Sequence, residues 1–523
     1  MFEPSGVTEA ELARLGRKVV RKGGKQVLLI ASGGQLFAVA NRCPHEGYPL
    51  SEGTLGPPCV LTCDWHNWKF DLASGETLVG RDPVRAYPLR IVDGEIHVDL
   101  ADPPADLRRE RALRGLRDAI ADNDRTRMAR EVARLERAGY DARIALAHAI
   151  EWRSERLEGG MTHAHAAAAD WLALSERAAS ADLRLAALLE PIGHLAEDTL
   201  GAGRYPYADA RLDWDAEAFL AAMEAEDEFS AQGRIASALE AGLAYPQLRP
   251  ALGAAALAHY ADFGHSAIYV LKAGQLIERL GDTVTRPVLQ ALVRQLIYAR
   301  REDRLPEFRG YAGALEGWSP ARARQLCADD LVGLSTAAIL KRLGASAGLP
   351  AEALFDALMG AVGWNLLHFD AELGWAAGRT IAANVSWLGF THALTFANAA
   401  RHLCADDPGL WQAALLQLAL FVGRNKPFVK AQQDVSAWRV DDRDAFLAAE
   451  MAALYDHAIA EPIIACHRVK VLFALEDELG HAPDAPWADV MCAAVNRYLN
   501  SPMKAHHGLR LARQARAFVA KEG

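Results

Sequence analysis

An abrupt change in residue pattern near residue 103 constrains the fold of this 523-residue chain more than any other feature. Before it, short segments rich in Val, Ile and Leu, such as 25–31 and 35–40, are bounded by Gly, Asn or Asp, which is typical of β-strands. The Asp-Pro-Pro sequence at 102–104 is a stiff, non-helical break. Beyond it, Ala, Leu, Arg and Glu recur at helical spacing. The pattern predicts a small all-β domain over residues 1–103 and a large all-α domain over 104–523.

The all-α domain contains candidate helices from 106–121 to 461–478, with long loops expected at 201–215 and 424–440. The triplet Thr-His-Ala occurs twice in it, at residue 162 and at residue 391. This recurrence indicates a degenerate repeat of helical pairs.

Composition narrows the classes of function. The chain is 51% hydrophobic and 24% charged, and its net charge of −10 does not favour nucleic acid or an anionic membrane as a partner. No run approaches the roughly 20 apolar residues that a membrane span needs. The N-terminus has no apolar core typical of a secretory signal, and the seven cysteines are scattered rather than paired. We therefore expect a cytoplasmic protein.

The strongest motif consists of two short Cys/His pairs. Cys43 and His45 form a Cys-x-His sequence, and Cys63 and His66 form a Cys-x-x-His sequence after a further seventeen residues. Two thiolates on one iron and two imidazoles on the other is the ligand set of one kind of [2Fe–2S] centre. A structural zinc site with Cys2His2 ligation is the alternative.

The residues around these pairs are similar to those of the Rieske [2Fe–2S] family. They include Gly47, the Pro-Leu pair at 49–50, Gly53 and the Trp-Lys-Phe-Asp sequence at 68–71. The resemblance extends over residues 1–100. It implies that the four loop residues, Cys43, His45, Cys63 and His66, bind a [2Fe–2S] cluster.

The resemblance also indicates which kind of Rieske domain this is. Rieske proteins of respiratory complexes carry an additional cysteine in each loop, and these cysteines form a disulfide. Here Tyr48 and Trp65 stand at those positions. The domain therefore resembles the ferredoxin and oxygenase type, with a potential expected in the lower part of roughly −150 to +300 mV. Such a domain receives electrons from an external flavin or ferredoxin reductase. We find no glycine-rich nucleotide-binding loop that would replace that partner.

Four histidines of the all-α domain recur at or near expected helix starts and are followed by small or apolar residues. They are His163, His265, His392 and His457. Four helices that each bring one histidine to a common interior form a metal site, here a mononuclear nonheme iron. The alternative is that each histidine only caps or packs its helix.

Lys272 lies seven residues after His265, two turns along the same expected helix, so the two side chains face the same way. Its neighbours are apolar on every side, which predicts burial. A buried lysine is costly unless it is paired, neutral or modified. Lys272 is therefore a candidate catalytic base or carbamylated metal ligand, unless its ammonium reaches the surface.

A second, shorter resemblance concerns the helical domain. Segments 265–268 and 390–394 are similar to the questin oxidase-like family of helical nonheme-iron oxygenases, which act on aromatic polyketides. That resemblance implies a histidine-rich iron site with a carboxylated lysine. The family tends to carry a second histidine where this chain has Lys272.

Other histidines rank lower as ligands. His194 and His148 each have a glutamate three residues later, and His259 and His368 have weaker settings. A di-iron site would need two Glu-x-x-His motifs. Only the segment 478–481 fits, and its glycine breaks the helix.

These features together predict an oxidoreductase, namely a nonheme-iron mono- or dioxygenase. Its Rieske cluster would pass electrons to an iron in the metal-dependent catalytic domain 104–523. O2 and a small organic substrate, aromatic or polyketide-like, would react there. The histidine pair and carboxylate of ring-hydroxylating Rieske oxygenases are not recognisable after residue 100.

One alternative is a ferredoxin fused to a helical docking scaffold without a second metal; another is a non-redox sensor of oxidation. A homo-oligomer is expected by analogy, because Rieske oxygenases often pair the cluster of one chain with the iron of the next.

Overall fold

The computed structural model describes residues 2–503 and 507–521. The chain divides into two compact units, residues 1–111 and 112–523, and the division falls inside one helix. The first unit consists mainly of strands and the second of helices, which confirms the predicted fold class. Within the described residues, no helix combines the length and the apolar character needed to cross a membrane.

The first unit is built from three antiparallel sheets and one short helix, α1 (Glu9–Leu15). The strands are β1 (Phe2–Thr8), β2 (Arg17–Lys22), β3 (Lys25–Ser32), β4 (Gln35–Ala40), β5 (Thr54–Gly56), β6 (Val60–Cys63), β7 (Trp68–Asp71), β8 (Thr77–Val79), β9 (Leu89–Val92) and β10 (Glu95–Asp99). The sheet orders are β1-β10-β9, β2-β3-β4 and β5-β6-β7-β8.

Strand β3 links the two apolar cores of this unit. It is the central strand of its sheet, and Val27, Leu28, Leu29 and Ile30 are all buried. Because side chains of a strand alternate between its two faces, Leu28 and Ile30 enter one core while Val27 and Leu29 enter the other. Because both faces of β3 are buried, the strand requires a continuous run of apolar residues.

The second unit contains the remaining helices, the first of which, α2, begins in the first unit. They are α2 (Ala105–Ala121), α3 (Arg125–Arg137), α4 (Arg143–Arg153), α5 (His163–Glu176), α6 (Ala181–Asp198), α7 (Ala216–Glu224), α8 (Glu228–Glu240), α9 (Tyr245–Leu257), α10 (His265–Leu280), α11 (Asp282–Tyr298), α12 (Gly310–Glu316), α13 (Thr336–Gly344), α14 (Ala351–Leu367), α15 (Ala371–Trp375), α16 (Leu388–Asp406), α17 (Trp411–Asn425), α18 (Arg443–Ala453), α19 (Pro462–His481), α20 (Ala488–Asn500) and α21 (Gly508–Val519).

Helices α5, α10, α16 and α19 form a closed ring at the centre of this unit. Helix α10 packs on α5 and α16, and α19 packs on the same two helices. In α5, every residue from Ala164 to Ser175 is buried, so the helix is surrounded by protein on all sides. Its run of alanines allows close approach, and a buried side chain such as Leu172 contributes about 1.5–3 kcal/mol.

Candidate metal centres

The four loop residues converge at one end of the β5-β6-β7-β8 sheet. Cys43 and His45 lie between β4 and β5, Cys63 ends β6, and His66 lies in the turn before β7. The two thiols are buried, whereas the imidazoles lie towards solvent. The Nδ1 atoms of His45 and His66 are 3.1 Å apart, close enough to bind a single metal ion.

Two glycines make this convergence possible. A Cβ atom on Gly53 would lie 2.2 Å from the Thr62 carbonyl oxygen, so only glycine allows the first loop to pass so close to β6. A Cβ atom on Gly80 would lie 2.5 Å from the Trp68 ring, and Gly80 has a φ of +121°. Trp68 in turn stacks on His45 with ring centroids 4.7 Å apart, so the glycine fixes the ring that orients this imidazole.

Burial, together with the neighbouring Cys63, raises the pKa of the Cys43 thiol to about 11. A thiol with that pKa is protonated at neutral pH and ionises when a metal binds it. All seven cysteines are unbonded, and Tyr48 and Trp65 lie with ring centroids 5.2 Å apart. Two interior thiols and two outward imidazoles are a donor set that fits a [2Fe–2S] cluster.

A second set of converging donors lies in the ring of four helices. This four-histidine centre consists of His163 of α5, His265 of α10, His392 of α16 and His467 of α19. The Nε2 atom of His265 lies 2.9 Å from those of both His163 and His392, and the Nε2 atoms of His392 and His467 are 3.1 Å apart. The ligand nitrogens of His163, His392 and His467 all lie within 4.8 Å of one another, and His265 joins them through its contacts with His163 and His392.

The other ring nitrogens of this centre, the Nδ1 atoms, already have hydrogen-bond partners. The Nδ1 atoms of His265, His392 and His467 each contact a backbone carbonyl oxygen, of Asp262, Leu388 and Ile463 respectively. A carbonyl oxygen only accepts hydrogen bonds, so Nδ1 carries the proton in all three. Their Nε2 atoms are consequently unprotonated, and the lone pairs on these atoms point at one another.

The fourth imidazole, His163, is held differently. Its Nδ1 atom lies 3.4 Å from the Tyr269 hydroxyl group. Lone pairs facing each other repel unless a cation lies between them. An imidazole bound through one nitrogen, with the other N–H donated to a carbonyl, is the usual state of a metal ligand.

Burial also keeps these histidines neutral. It is the main cause that lowers the pKa values of all four, and the charge of Lys470 lowers each of them further. Lys470 lies one helical turn after His467 and is fully buried, and burial lowers its own pKa. Within the described residues, its Nζ atom has no hydrogen-bond partner. The centre is thus a neutral nitrogen donor set with one buried lysine beside it.

A cavity of about 350 Å³ opens onto this centre through His163. Other residues in its wall are Thr162, His194, Asp198, Glu461 and Ile463. The Thr162 hydroxyl donates to Asp198 at 2.6 Å, and the Nε2 atom of His194 lies 3.6 Å from the other oxygen of that carboxylate. The donor set therefore has an approach lined by groups that can carry protons.

The structure brings together His163, His265 and His392 of the four histidines expected in this site, but not His457. That imidazole precedes α19 and lies beside Trp171, with ring centroids 5.8 Å apart, and 3.6 Å from a Glu190 carboxylate oxygen. The sequence interpretation missed His467, because it favoured helix starts and His467 lies in the second turn of α19. A histidine one helical turn before a lysine, within the mostly apolar segment 462–475, was the available signal.

Lys272 is buried as expected, but its ammonium group does not reach the surface or stand alone. It donates to an Asp170 carboxylate oxygen at 2.6 Å and to Gln275 at 3.1 Å. This pair lines a separate cavity of about 160 Å³. Lys470, rather than Lys272, is the lysine whose charge acts on every histidine of the centre.

The comparisons with known proteins concern the first unit. Residues 7–88 match the Rieske [2Fe-2S] domain family. The 4beta-methylsterol monooxygenase of Methylococcus capsulatus is 36% identical over 98 residues, which are 16% of this chain and 26% of that protein. The 3-phenylpropionate/cinnamic acid dioxygenase ferredoxin subunit of Escherichia coli is 31% identical over 98 residues, which are 18% of this chain and 87% of that protein.

Two solved structures are similar as well, both from the carbazole 1,9a-dioxygenase of Nocardioides aromaticivorans IC177. The terminal oxygenase is 27% identical with a TM-score of 0.18, over 20% of this chain and 30% of that one. The ferredoxin is 25% identical with a TM-score of 0.18, over 19% of this chain and 96% of that one. This chain thus spans about a quarter of the methylsterol monooxygenase and less than a third of the carbazole oxygenase.

Proposed function

Because the chain belongs to the Rieske [2Fe-2S] family through its N-terminal domain, we propose that this iron–sulfur oxidoreductase is a terminal oxygenase. In the proposal, the cluster supplies electrons to one nonheme iron at the four-histidine centre, where that iron activates O2 to oxidise a small organic substrate. The loop residues Cys43, His45, Cys63 and His66 hold the cluster. The rest of the reaction depends on side chains of the helical unit.

The observation that carries the proposal is the convergence of four Nε2 atoms in a buried interior. Three of these Nε2 atoms carry a lone pair, because the Nδ1–H groups of the same rings donate to backbone carbonyl oxygens. Lone pairs that face one another at these distances repel, and a cation bound between them would remove that repulsion and use the tautomers that the carbonyls fix. A redox-active metal such as iron makes use of an electron-transfer domain in the same chain, whereas zinc has no redox chemistry.

The cavity beside His163 supports a small substrate. Its volume of about 350 Å³ lies at the lower end of the usual range for ligand pockets, roughly 300–1,000 Å³. That volume admits a small organic molecule, and the aromatic or polyketide-like class is the one expected from the sequence. Reduction of O2 consumes protons, and the Thr162 hydroxyl, the Asp198 carboxylate and the His194 imidazole form a short path that delivers them from the cavity.

Electrons enter at the exposed edge of the Rieske domain. His45 and His66 lie towards solvent there, and Trp65 is 59% exposed beside them. An external flavin or ferredoxin reductase would dock on this edge. We expect the functional unit to be a homo-oligomer.

A single-turnover experiment tests the proposal. The protein is first reduced in the absence of both oxygen and substrate. It is then mixed with O2, and the absorbance of the cluster is followed as it reoxidises. We expect the reduced cluster to reoxidise at least 10-fold more slowly in the His392→Ala variant than in the wild type. His457→Gln is the matched control, since it alters a histidine outside the four-histidine centre. Equal rates in all three proteins would reject the oxygenase.

A second candidate is an electron carrier with a helical docking scaffold. The match over 87% of a ferredoxin subunit favours it, because that whole protein corresponds to the first unit alone. A carrier would contain two irons per chain, all of them in the cluster, and an oxygenase would contain a third. Iron content measured together with the cluster EPR signal distinguishes the two.

A further inference from the structure

The two mid-helix histidines of the four-histidine centre obtain their backbone acceptors from the helix itself. His392 and His467 each donate to the carbonyl of the residue four positions earlier, Leu388 and Ile463. His265 has no such acceptor, because it is the first residue of α10. Its Nδ1–H instead donates to the carbonyl oxygen of Asp262, three residues earlier and outside that α-helix.

That carbonyl is aimed at the imidazole by an unusual turn. Asp262, Phe263 and Gly264 all have positive φ, of 48°, 46° and 80°. Two consecutive residues with side chains in the left-handed region are strained, and such strain persists only where surrounding structure imposes it. The turn is therefore held in place by something other than its own preference.

Glu302 is the side chain that holds it. Its carboxylate oxygen accepts the Phe263 backbone N–H at 3.1 Å, and Glu302 is only 2% exposed. The backbone on either side is tied together as well, since Asp262 N–H donates to the Arg300 carbonyl at 2.7 Å and Asp303 N–H donates to the Tyr260 carbonyl at 3.1 Å. These bonds fix the position from which the carboxylate reaches the turn.

A buried carboxylate is expensive to desolvate, and burial raises the pKa of Glu302 to about 7. No Lys or Arg forms a salt bridge with it among the described residues. The local function of this costly group is the hydrogen bond to the strained turn. Without it, the Phe263 N–H would lose its acceptor and the turn would relax.

We infer that Glu302 is a positioning residue for the metal centre, which holds the Asp262 carbonyl against His265 through the left-handed turn 262–264. The inference rests on the proposed function, since it concerns the same four-histidine centre. Outer partners of metal-bound imidazoles orient the ring, and their loss typically costs 10–100-fold in metal affinity. The geometry of the acceptor, rather than its charge, is what the turn requires.

Three substitutions separate geometry from charge. Glu302→Gln keeps an acceptor oxygen at the same length, Glu302→Asp keeps the charge on a shorter side chain, and Glu302→Ala removes both. Glu307→Ala is the matched control, because Glu307 is an exposed carboxylate of the same segment. The full-length protein is loaded with Fe(II), and loss of the non-cluster iron to a chelator is timed while the EPR signal of the reduced cluster is recorded.

We expect iron loss at least 10-fold faster in Glu302→Asp and Glu302→Ala, and within 3-fold of the wild type in Glu302→Gln and Glu307→Ala. The EPR spectrum of the Fe(II)–nitric oxide adduct should change in the first two variants only, and the cluster signal in none. Wild-type iron retention in all the variants would overturn the inference, and so would a Gln variant as impaired as Ala. If the Ala variant does not fold, the contrast between Gln and Asp still decides. A wild type that binds no iron beyond the cluster would instead reject the proposed function.

Discussion

The two candidate metal centres of this chain are built in opposite ways. The four loop residues lie within 24 positions of sequence, on adjacent loops, with imidazoles towards solvent. The four-histidine centre draws one side chain from each of four helices spread over about 300 residues. The imidazoles of His265, His392 and His467 are buried, and His163 is half-buried beside the cavity. An exposed centre is suited to exchanging electrons with a partner, and an enclosed centre with an adjoining cavity is suited to chemistry on a small molecule.

The largest effect is expected when one metal centre is removed at a time, which tests whether the two centres are independent. We expect His392→Ala to lose the non-cluster iron and keep the cluster EPR signal, and Cys63→Ser to do the reverse. Each should lower the turnover of the proposed oxygenase by at least about 100-fold, more than the loss of an outer partner costs. Iron content and EPR of the purified variants measure both effects. A single substitution that removes both signals would show that the two centres are not independent.

The next largest effect concerns Lys272, which the sequence suggested as a catalytic residue. In the structure it is paired with Asp170 in the interior. Lys272→Met leaves that carboxylate buried and unpaired, which should lower the free energy of unfolding by about 3–5 kcal/mol. Urea denaturation followed by tryptophan fluorescence measures the change.

The double variant Lys272→Met/Asp170→Leu is the control for Lys272, because it removes both charges and should recover most of the stability. Iron content should stay at the wild-type level in the double variant. Unchanged stability with loss of iron in Lys272→Met would instead support a role at the metal centre.

The contrast between the two regions shows what the sequence could predict. The strands, the helices and the loop ligands follow from local pattern, because each depends on neighbours a few positions away. The four-histidine centre depends on where distant helices cross. His457 and His467 lie ten residues apart, and only the start of α19 at Pro462 decides which of them faces the ring interior. The Lys272–Asp170 pair joins residues 102 positions apart and left no local signal.

Acidification should destabilise the metal-free helical unit. Burial lowers the pKa of His165 to about 4, against 6.5 for an exposed histidine. Between these values the unfolded chain binds the proton and the folded chain does not, so stability is present above pH 6.5 and declines as the pH falls towards 4. His165 alone should contribute a loss of about 2 kcal/mol between pH 7 and pH 5.

Chelator-treated protein unfolded by urea at the two pH values measures that loss. The variant His165→Asn should show a smaller difference between pH 7 and pH 5 than the parent protein. A His165→Asn variant whose stability changes between pH 7 and pH 5 as much as that of the parent would contradict the burial of a neutral His165.

The smallest expected effect lies in the Rieske domain. Gly80→Ala places a methyl group against the Trp68 ring and forces alanine into a positive φ. We expect it to lower the stability of this domain by about 1–3 kcal/mol and to alter the cluster EPR spectrum through the displaced His45. Gly34→Ala is the matched control, since it also has positive φ but a Cβ there meets open space. Identical spectra in Gly80→Ala and the wild type would show that the Trp68 stack does not orient the imidazole.

The most direct test of two separate iron centres is the Mössbauer spectrum of protein grown on iron-57, combined with total iron per chain. We expect three irons per chain, two in the Rieske cluster and one in a nitrogen-ligated mononuclear site that disappears in His392→Ala. Two irons per chain, both belonging to the cluster, would contradict it.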